Sequence, residues 1–287
     1  MTALIDADVI VYRAISVAAS SVDWDGGGDM PLNNLPAAKK VADLLVRDWT
    51  LMAKEKQALL IFSDRTKPKA SFRHHVHPFY KANRGGPKPP MHDEIHDYLY
   101  ENYKSTHLRD CEGDDLMGIL VTNDPKYVMV TIDKDMQTLP GRLVNPMDKN
   151  PTPKKTSAFE AEYNWMYQTI VGDQVDNFKG APGAGPVAAM AALAGKIHAD
   201  ELYAAAMGVF SDQSHKTAPS KKFVKRDKDG MADWYQEFLM NARCARILRT
   251  GDYKRFEGEA MVRLWSPEES EIEWIDPHYS IEEAVSE

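Results

Sequence analysis

Only two cysteines, Cys111 and Cys244, occur in this 287-residue chain. That is too few for the disulfide framework of a small secreted scaffold, so a reducing cytoplasm is the expected compartment. No apolar run approaches the ~20 residues of a membrane span. Met1 leads into TALIDADVIVY without a basic leader, so no signal peptide is expected. There is no internal repeat. An excess of positive charge is also lacking: the net charge of −8 argues at first against a nucleic-acid partner. The average hides patches. Lys67, Lys69, Arg73, Lys81, Arg84 and Lys88 follow one another with no acid between them, and HKTAPSKKFVKRDK, 215–228, is a second basic run.

What is present is ordinary globular material, 43% hydrophobic and 27% charged, long enough for one large or two modest domains. ALI, 3–5, is a short apolar run ending at Asp6, and 9–19 reads as helix. WDGGGDMPLNN, 24–34, reads as loop from its Gly, Pro and Asn. In 36–55, Val41, Leu44, Leu45, Trp49 and Met52 recur at near-helical spacing. ALLIF, 58–62, and YVMVTI, 127–132, read as buried strands. Helices are expected over 89–103, opened by proline, and over 114–122. Strands alternating with helices indicate an α/β fold with a parallel sheet. Residues 147–157, polar and proline-rich, read as a linker. Beyond them the pattern is mostly helical, with a glycine-rich hairpin leading into an Ala-rich helix over 180–195, a helix over 231–250 and an acidic, peripheral end from about 266. Two parts are therefore expected, 1–160 and 161–287.

CEGDDLMGIL, 111–120, crowds Glu112, Asp114 and Asp115 at the mouth of an apolar segment. A solvated helix start explains such acids; so does a metal site. Asp6, Asp64 and Asp133 each follow a predicted strand, at the edge where open α/β sheets place ligands. Asp135, Asp173 and Asp176 join them from DKD and GDQVD. Nine carboxylates sharing one cleft cannot all stay ionised without cations. Oxygen-only ligands suit Mg²⁺ or Mn²⁺, and two such ions are one solution for cutting phosphodiesters. Neutralising nine acids moves the net charge from −8 to about +1, so the acidity no longer argues against DNA.

Five ordered motifs over residues 3–195 resemble those of the structure-specific 5′ nucleases, the flap endonucleases and phage-type 5′→3′ exonucleases. LIDADVIVYRA supplies Asp6 and Arg13. IFSDRTKPKASFRHHVHPFYKANR supplies Asp64, Tyr80, Lys81 and Arg84. CEGDDLMG matches Glu-x-Asp-Asp, TIDKDMQTL matches Asp-x-Asp, and IVGDQVDNFKGAPGAGPVAA matches Gly-Asp-x-x-Asp-Asn leading into a helix–hairpin–helix. The tail NARCARILRTGDY is similar to the phage type.

The resemblance implies a resolvase-like (PIN-like) nuclease core with a helical arch over about 67–104. A C-terminal helical region would carry the helix–hairpin–helix at about 172–195. It implies a first metal on Asp64, Glu112, Asp114 and Asp115 beside Asp6, and a second completed by Asp133, Asp135, Asp173 and Asp176. Lys81, Arg84 and Arg13 would act on the scissile phosphate. Tyr80, stacking or packing, and Gly180, Gly183 and Gly185 of the hairpin would meet DNA, as would Lys221, Lys222, Lys225 and Arg226 of the basic run. A monovalent cation at the hairpin belongs to the same picture. So do a duplex with a 5′ end or flap as partner, an RNA–DNA hybrid as further substrate, a monomeric enzyme and a phage protein in a bacterial cytoplasm.

A rival reading exists. IDADVI is also similar to the Asp-x-Asp start of haloacid-dehalogenase-type phosphatases, with Asp6 as nucleophile and Asp8 as general acid. It leaves EGDD, DKD and FYKANR unexplained. A non-catalytic DNA-binding module would leave the acids repelling their ligand. Asp8 and the histidines 74, 75, 77, 92 and 96 depart from the nuclease pattern; His92 and His96 are expected on an exposed helix face.

Overall fold

The structure is a computed structural model, and it describes residues 2–20, 34–66, 71–214, 234–256, 259–268 and 272–276. The loop 24–33 and the basic run with Lys221, Lys222, Lys225 and Arg226 lie outside the described residues. No helix of the described residues is long and apolar enough to cross a membrane. The chain forms two compact units: Met1–Ala70 with Gly86–Met136 and Gly141–Lys155, and Ser71–Gly85 with Gln137–Pro140 and Thr156–Glu287.

The first unit is built on a sheet of order β3-β2-β1-β4-β5-β6. Its strands are β1 (Thr2–Asp6), β2 (Gln57–Phe62), β3 (Ser105–His107), β4 (Val128–Val130), β5 (Gly141–Val144) and β6 (Lys154–Thr156). The pairs β1/β2, β1/β4, β2/β3 and β4/β5 are all parallel. Helices cover both faces, which is why Ala3, Leu4 and Ile5, and likewise Leu60 and Ile61, are buried in unbroken runs. One face meets α1 (Ala7–Ser20), α2 (Leu35–Met52) and α4 (His92–Asn102) through Ile10, Val46, Trp49, Ile95 and Leu99. The other meets α5 (Gly113–Asn123), packed on β1, β2 and β4. The Asp43 carboxylate of α2 accepts hydrogen bonds from the Tyr98 and Tyr103 hydroxyls, joining two core helices. Part of the expected linker 147–157 is strand β6 instead.

The second unit is a helical cluster of α3 (Arg73–Val76), α6 (Ala158–Val171), α7 (Pro186–Leu193), α8 (Ala199–Ser214) and α9 (Trp234–Ala245). A three-stranded antiparallel sheet follows, β7 (Tyr253–Phe256), β8 (Glu259–Leu264) and β9 (Glu273–Ile275). The expectation of a mostly helical region overlooked that sheet. The core gathers Tyr80, Trp165, Phe178, Phe210, Phe238 and Trp265. Arg73, counted above in a basic surface run, is buried; its guanidinium donates to the carbonyls of Cys244 and Arg246 and so satisfies the end of α9.

Candidate active site

Parallel pairing brings the C-terminal ends of β1, β2 and β4 to one edge of the first unit's sheet. Asp6 closes β1. Its Oδ2 accepts the Thr131 hydroxyl at 2.8 Å and its Oδ1 the Val9 amide at 3.2 Å. Burial, then the nearby charge of Asp8 and, more weakly, of Asp133, push the Asp6 carboxyl up to about 7 against those bonds. Negative charge here is undercompensated. Asp133 accepts the Asp135 amide at 2.8 Å in the turn after β4. Asp8 accepts the Ser63 amide at 2.9 Å, tying the start of α1 to the end of β2.

Asp64 is buried just past β2. Burial raises its carboxyl, but bonds from the Asp110 amide at 2.7 Å and from the Thr66 amide and hydroxyl at 2.9 and 3.0 Å outweigh it, so it sits below the usual range. The start of α5 lies against the same strand end. A Cβ on Gly113 would come within 3.4 Å of the Phe62 carbonyl carbon, and the Gly113 amide donates to the Ser63 hydroxyl at 3.0 Å. Glu112, Asp114 and Asp115 thus open a helix beside Asp64. Asp115 is buried and accepts the Glu112 amide at 3.1 Å, one half of a capping box. Asp114 stays half-buried.

Among the described residues no three His, Cys, Asp or Glu side chains stand close enough to hold one ion. The donor set nevertheless fits a hard divalent cation: it is all carboxylate oxygen, with threonine and serine hydroxyls around it. Crowding that raises Asp6 is relieved by positive charge. On α1, Arg13 is half-buried and its Nε has no hydrogen-bond partner among the described residues, so a further acceptor would satisfy it.

The second unit arranges its acids differently. The Asp176 carboxylate takes the Tyr80 hydroxyl at 2.7 Å and Arg84 Nη2 at 2.6 Å, with Lys81 Nζ at 3.8 Å. The Lys81 amide donates to the Asp176 carbonyl at 2.9 Å, Asn83 Nδ2 to the Gln174 carbonyl, and Asn177 Nδ2 to the Phe79 carbonyl. Two expectations are corrected. Lys81 and Arg84 face a near acid, which the acid-free stretch 65–90 could not show. Tyr80 is 2% exposed and packs inside the unit, so it offers no ring for stacking on a base. Lys81 also has φ 53°, in the left-handed region and outside a helix. Asp173 is buried and accepts the amides of Val175 and Asp176, as a turn aspartate does.

In the hairpin, Gly172 and Gly180 press backbone on backbone. A Cβ on Gly180 would lie 2.3 Å from the Ile170 oxygen, and its φ of 70° disfavours other residues. Its amide donates to Asn241 Oδ1, so it is spent inside the fold. Gly183 is exposed at φ 72°, and Gly185 caps α7 ahead of Pro186.

His92 and His96 are not on an exposed face. His92 packs edge-on to Tyr12 and His96 stacks parallel to Tyr100. Burial holds both imidazoles below their usual range. Sequence reasoning missed the hydroxyls of Ser63, Thr66 and Thr131. Their signal was a hydroxyl residue within two positions of Asp64 and of Asp133.

A parallel α/β sheet whose strand ends collect carboxylates defines the class: a resolvase-like domain of the nuclease type. Residues 1–164 match the model of the 5′-3′ exonuclease N-terminal resolvase-like domain, and the chain belongs to that family. The exodeoxyribonuclease of Enterobacteria phage T3 is 26% identical over 92% of each chain. The exonuclease of Escherichia phage T7 is 24% identical over 92% of this chain and 93% of its own. A solved structure of T5 5′-exonuclease with bound zinc superposes with a TM-score of 0.53 at 14% identity, covering 85% of this chain and 89% of that one; it shows the shared fold.

Proposed function

We propose that this protein is a metal-dependent 5′→3′ exonuclease and flap endonuclease. It hydrolyses phosphodiester bonds near the 5′ ends of duplex or branched DNA. The observation that carries the reading is the strand-end cluster, where Asp6 is driven up to about 7 by burial and by neighbouring acids. The phage T3 and T7 relatives support it.

In this reading Asp64, Glu112, Asp114 and Asp115 hold one Mg²⁺ or Mn²⁺ beside Asp6. Asp133, Asp135, Asp173 and Asp176 are the ligands assigned to a second ion. Such ions, when bound, polarise the phosphodiester and lower the pKa of water. Thr131 and Thr66 fix the Asp6 and Asp64 carboxylates through the bonds described. Arg13 supplies a guanidinium with a spare donor for the phosphate. Lys81 and Arg84 neutralise transition-state charge, having first been held against Asp176. The helix–hairpin–helix turn at Gly183 and Gly185 offers amides at the start of α7 to the duplex backbone. The basic residues Lys221, Lys222, Lys225 and Arg226 add sequence-independent attraction, and a monovalent cation at the hairpin is part of the same proposal. The enzyme works as a monomer in a bacterial cytoplasm, on DNA and on RNA–DNA hybrids.

The test is incubation of a 5′-labelled branched duplex with Mg²⁺, then with chelator. Short labelled products that vanish with chelator support the reading; an uncut substrate at high enzyme overturns it.

A further inference from the structure

Beside Asp64, inside the first unit, lies a cleft of about 300 Å³ lined by Phe62, Ser63, Thr66, His96, Tyr100 and Glu101 among others. Its walls are rings. His96 and Tyr100, four apart on α4, lie parallel within 9° with centroids 5.9 Å apart. Phe62 meets His96 edge-on at 4.5 Å. His107, at the end of β3, accepts or donates at 2.9 Å with the Tyr100 hydroxyl, which fixes the Tyr100 ring. Side chains in a core interdigitate and leave few voids. A space of this size, open to solvent and walled by aligned rings, is suited to a planar guest.

We propose that this cleft is a nucleobase pocket that takes the unstacked base of the nucleotide on the 5′ side of the scissile phosphate. The proposal rests on the nuclease reading and goes beyond it. Three observations choose the guest. The volume is at the low end for ligand pockets, enough for one ring system and not for a stacked pair. The parallel His96–Tyr100 pair, backed by the buried Phe62 ring, offers the π-surface on which any base stacks. Asp64 belongs both to the pocket wall and to the proposed metal ligands, so a base seated here is attached to a phosphate near that carboxylate.

The rim sets a preference. Asp97 is occupied by His96 Nδ1 at 3.0 Å. Glu101 is exposed and has no hydrogen bond or ion pair among the described residues. It is a free acceptor facing the guest's edge, which suits the exocyclic amino groups of adenine, cytosine and guanine and leaves thymine the poorer guest. Arg65, which also lines the cleft, is paired with Asp93, and the acids at the rim keep the phosphate backbone outside while the base enters.

The experiment uses the full chain in Ca²⁺ with a flap duplex carrying 2-aminopurine at each of the three flap nucleotides nearest the junction in turn. Expected is fluorescence quenching at one position on binding. Tyr100→Leu should remove most of that quenching while the anisotropy of a label on the distant duplex end still reports binding within roughly three-fold, since most affinity lies in backbone contacts. Tyr100→Phe, which keeps the ring, should keep the quenching. Glu101→Ala, at an exposed site, should abolish the difference between adenine and thymine flaps, expected at roughly ten-fold in single-turnover rate. Where Tyr100→Leu does not fold, the Phe variant and Glu101→Ala carry the test. Quenching that survives Tyr100→Leu, quenching at no position of a bound flap, or an adenine–thymine difference unchanged in Glu101→Ala overturns the pocket. The nuclease reading fails separately, by absence of Mg²⁺-dependent cleavage of the same flap.

Discussion

Two sets of carboxylates, one in each unit, are handled in opposite ways. At the sheet edge of the first unit, Asp6 has acids for neighbours, and its partners are a hydroxyl and an amide. In the second unit, Asp176 has a lysine, an arginine and a tyrosine hydroxyl on it. The same residue type is undercompensated in one place and satisfied in the other. Undercompensated negative charge is costly unless a cation arrives, so the first set is the better candidate for metal. The second set is first of all a joint that holds the 79–84 turn to the 173–177 turn.

The largest test of that contrast is Asp114→Ala. This carboxylate is half-buried at the start of α5 and, unlike Asp115, is not the acceptor that closes the helix cap. Its removal should lower turnover by roughly three orders of magnitude or more, with duplex binding in Ca²⁺ retained. Normal cleavage removes it from the metal site. Asp115→Ala should also abolish turnover, but loss of the cap bond adds about 1 kcal/mol of destabilisation, so melting must be measured beside activity.

Lys81→Ala comes next and could break the comparison. If Lys81 only balances Asp176, an ion pair at 3.8 Å, its loss costs at most about 1 kcal/mol of stability and the saturated rate stays as it was. If Lys81 also neutralises phosphate charge, the single-turnover rate at saturating enzyme falls by roughly two to three orders of magnitude while affinity changes little. An unchanged rate constant leaves Lys81 as part of the joint alone.

A smaller, graded effect should appear in pH. With its folded value raised to about 7, Asp6 binds a proton more tightly in the folded than in the unfolded chain. Its contribution to stability is therefore most favourable below the unfolded value near 3.8 and is lost as pH rises through about 7. Asp6 shares its field with Asp8, so the amount is on the order of a few kcal/mol at most. In chelator, wild type should lose thermal stability relative to Asp6→Asn between about pH 4 and 7, and Mg²⁺ should flatten the difference. Parallel melting curves across that range contradict the crowding at Asp6.

The sequence made the sheet edge legible and the joint illegible. β1, β2 and β4 are apolar runs that end in Asp or shortly before it, so their existence and their ligand edge follow from pattern and parallel pairing, while their order in the sheet does not. The start of α5 was marked by its acids. The three-residue strands β3 and β6 carry too little pattern to be seen. The sheet β7–β9 was missed because tail composition was weighed above alternation, although AMVRL in β8 does alternate, with Ala260, Val262 and Leu264 buried. The pairing of Lys81 and Arg84 with Asp176 spans more than 90 residues, and no local spacing encodes it. The buried place of Arg73 is hidden by its basic neighbours in sequence, and the choice of packing over stacking for Tyr80 is made by Asp176, far along the chain; both bond within the second unit.

The smallest effect is expected from Asp8→Asn, and it sharpens the contrast from the other side. Asp8 stands beside Asp6 and raises it, yet its own carboxylate is engaged by the Ser63 amide at 2.9 Å. Asparagine can still present a carbonyl oxygen to that amide, so the link between α1 and the end of β2 should survive at a cost of about 1 kcal/mol or less. Removing the charge also eases ionisation of Asp6, which favours metal binding at lower pH. Cleavage of a 5′-labelled flap should stay within roughly ten-fold of wild type, and its pH profile should shift to the acid side, because Asp6 has lost the stronger of its two charged neighbours, Asp8, and keeps only Asp133. A general acid at this position predicts otherwise: its loss would cost roughly two to four orders of magnitude, and p-nitrophenyl phosphate hydrolysis would disappear with it. Flap cleavage at near wild-type rate with an acid-shifted profile makes Asp8 a positioning residue; a collapse of both activities would return the strand-end pair to phosphatase chemistry.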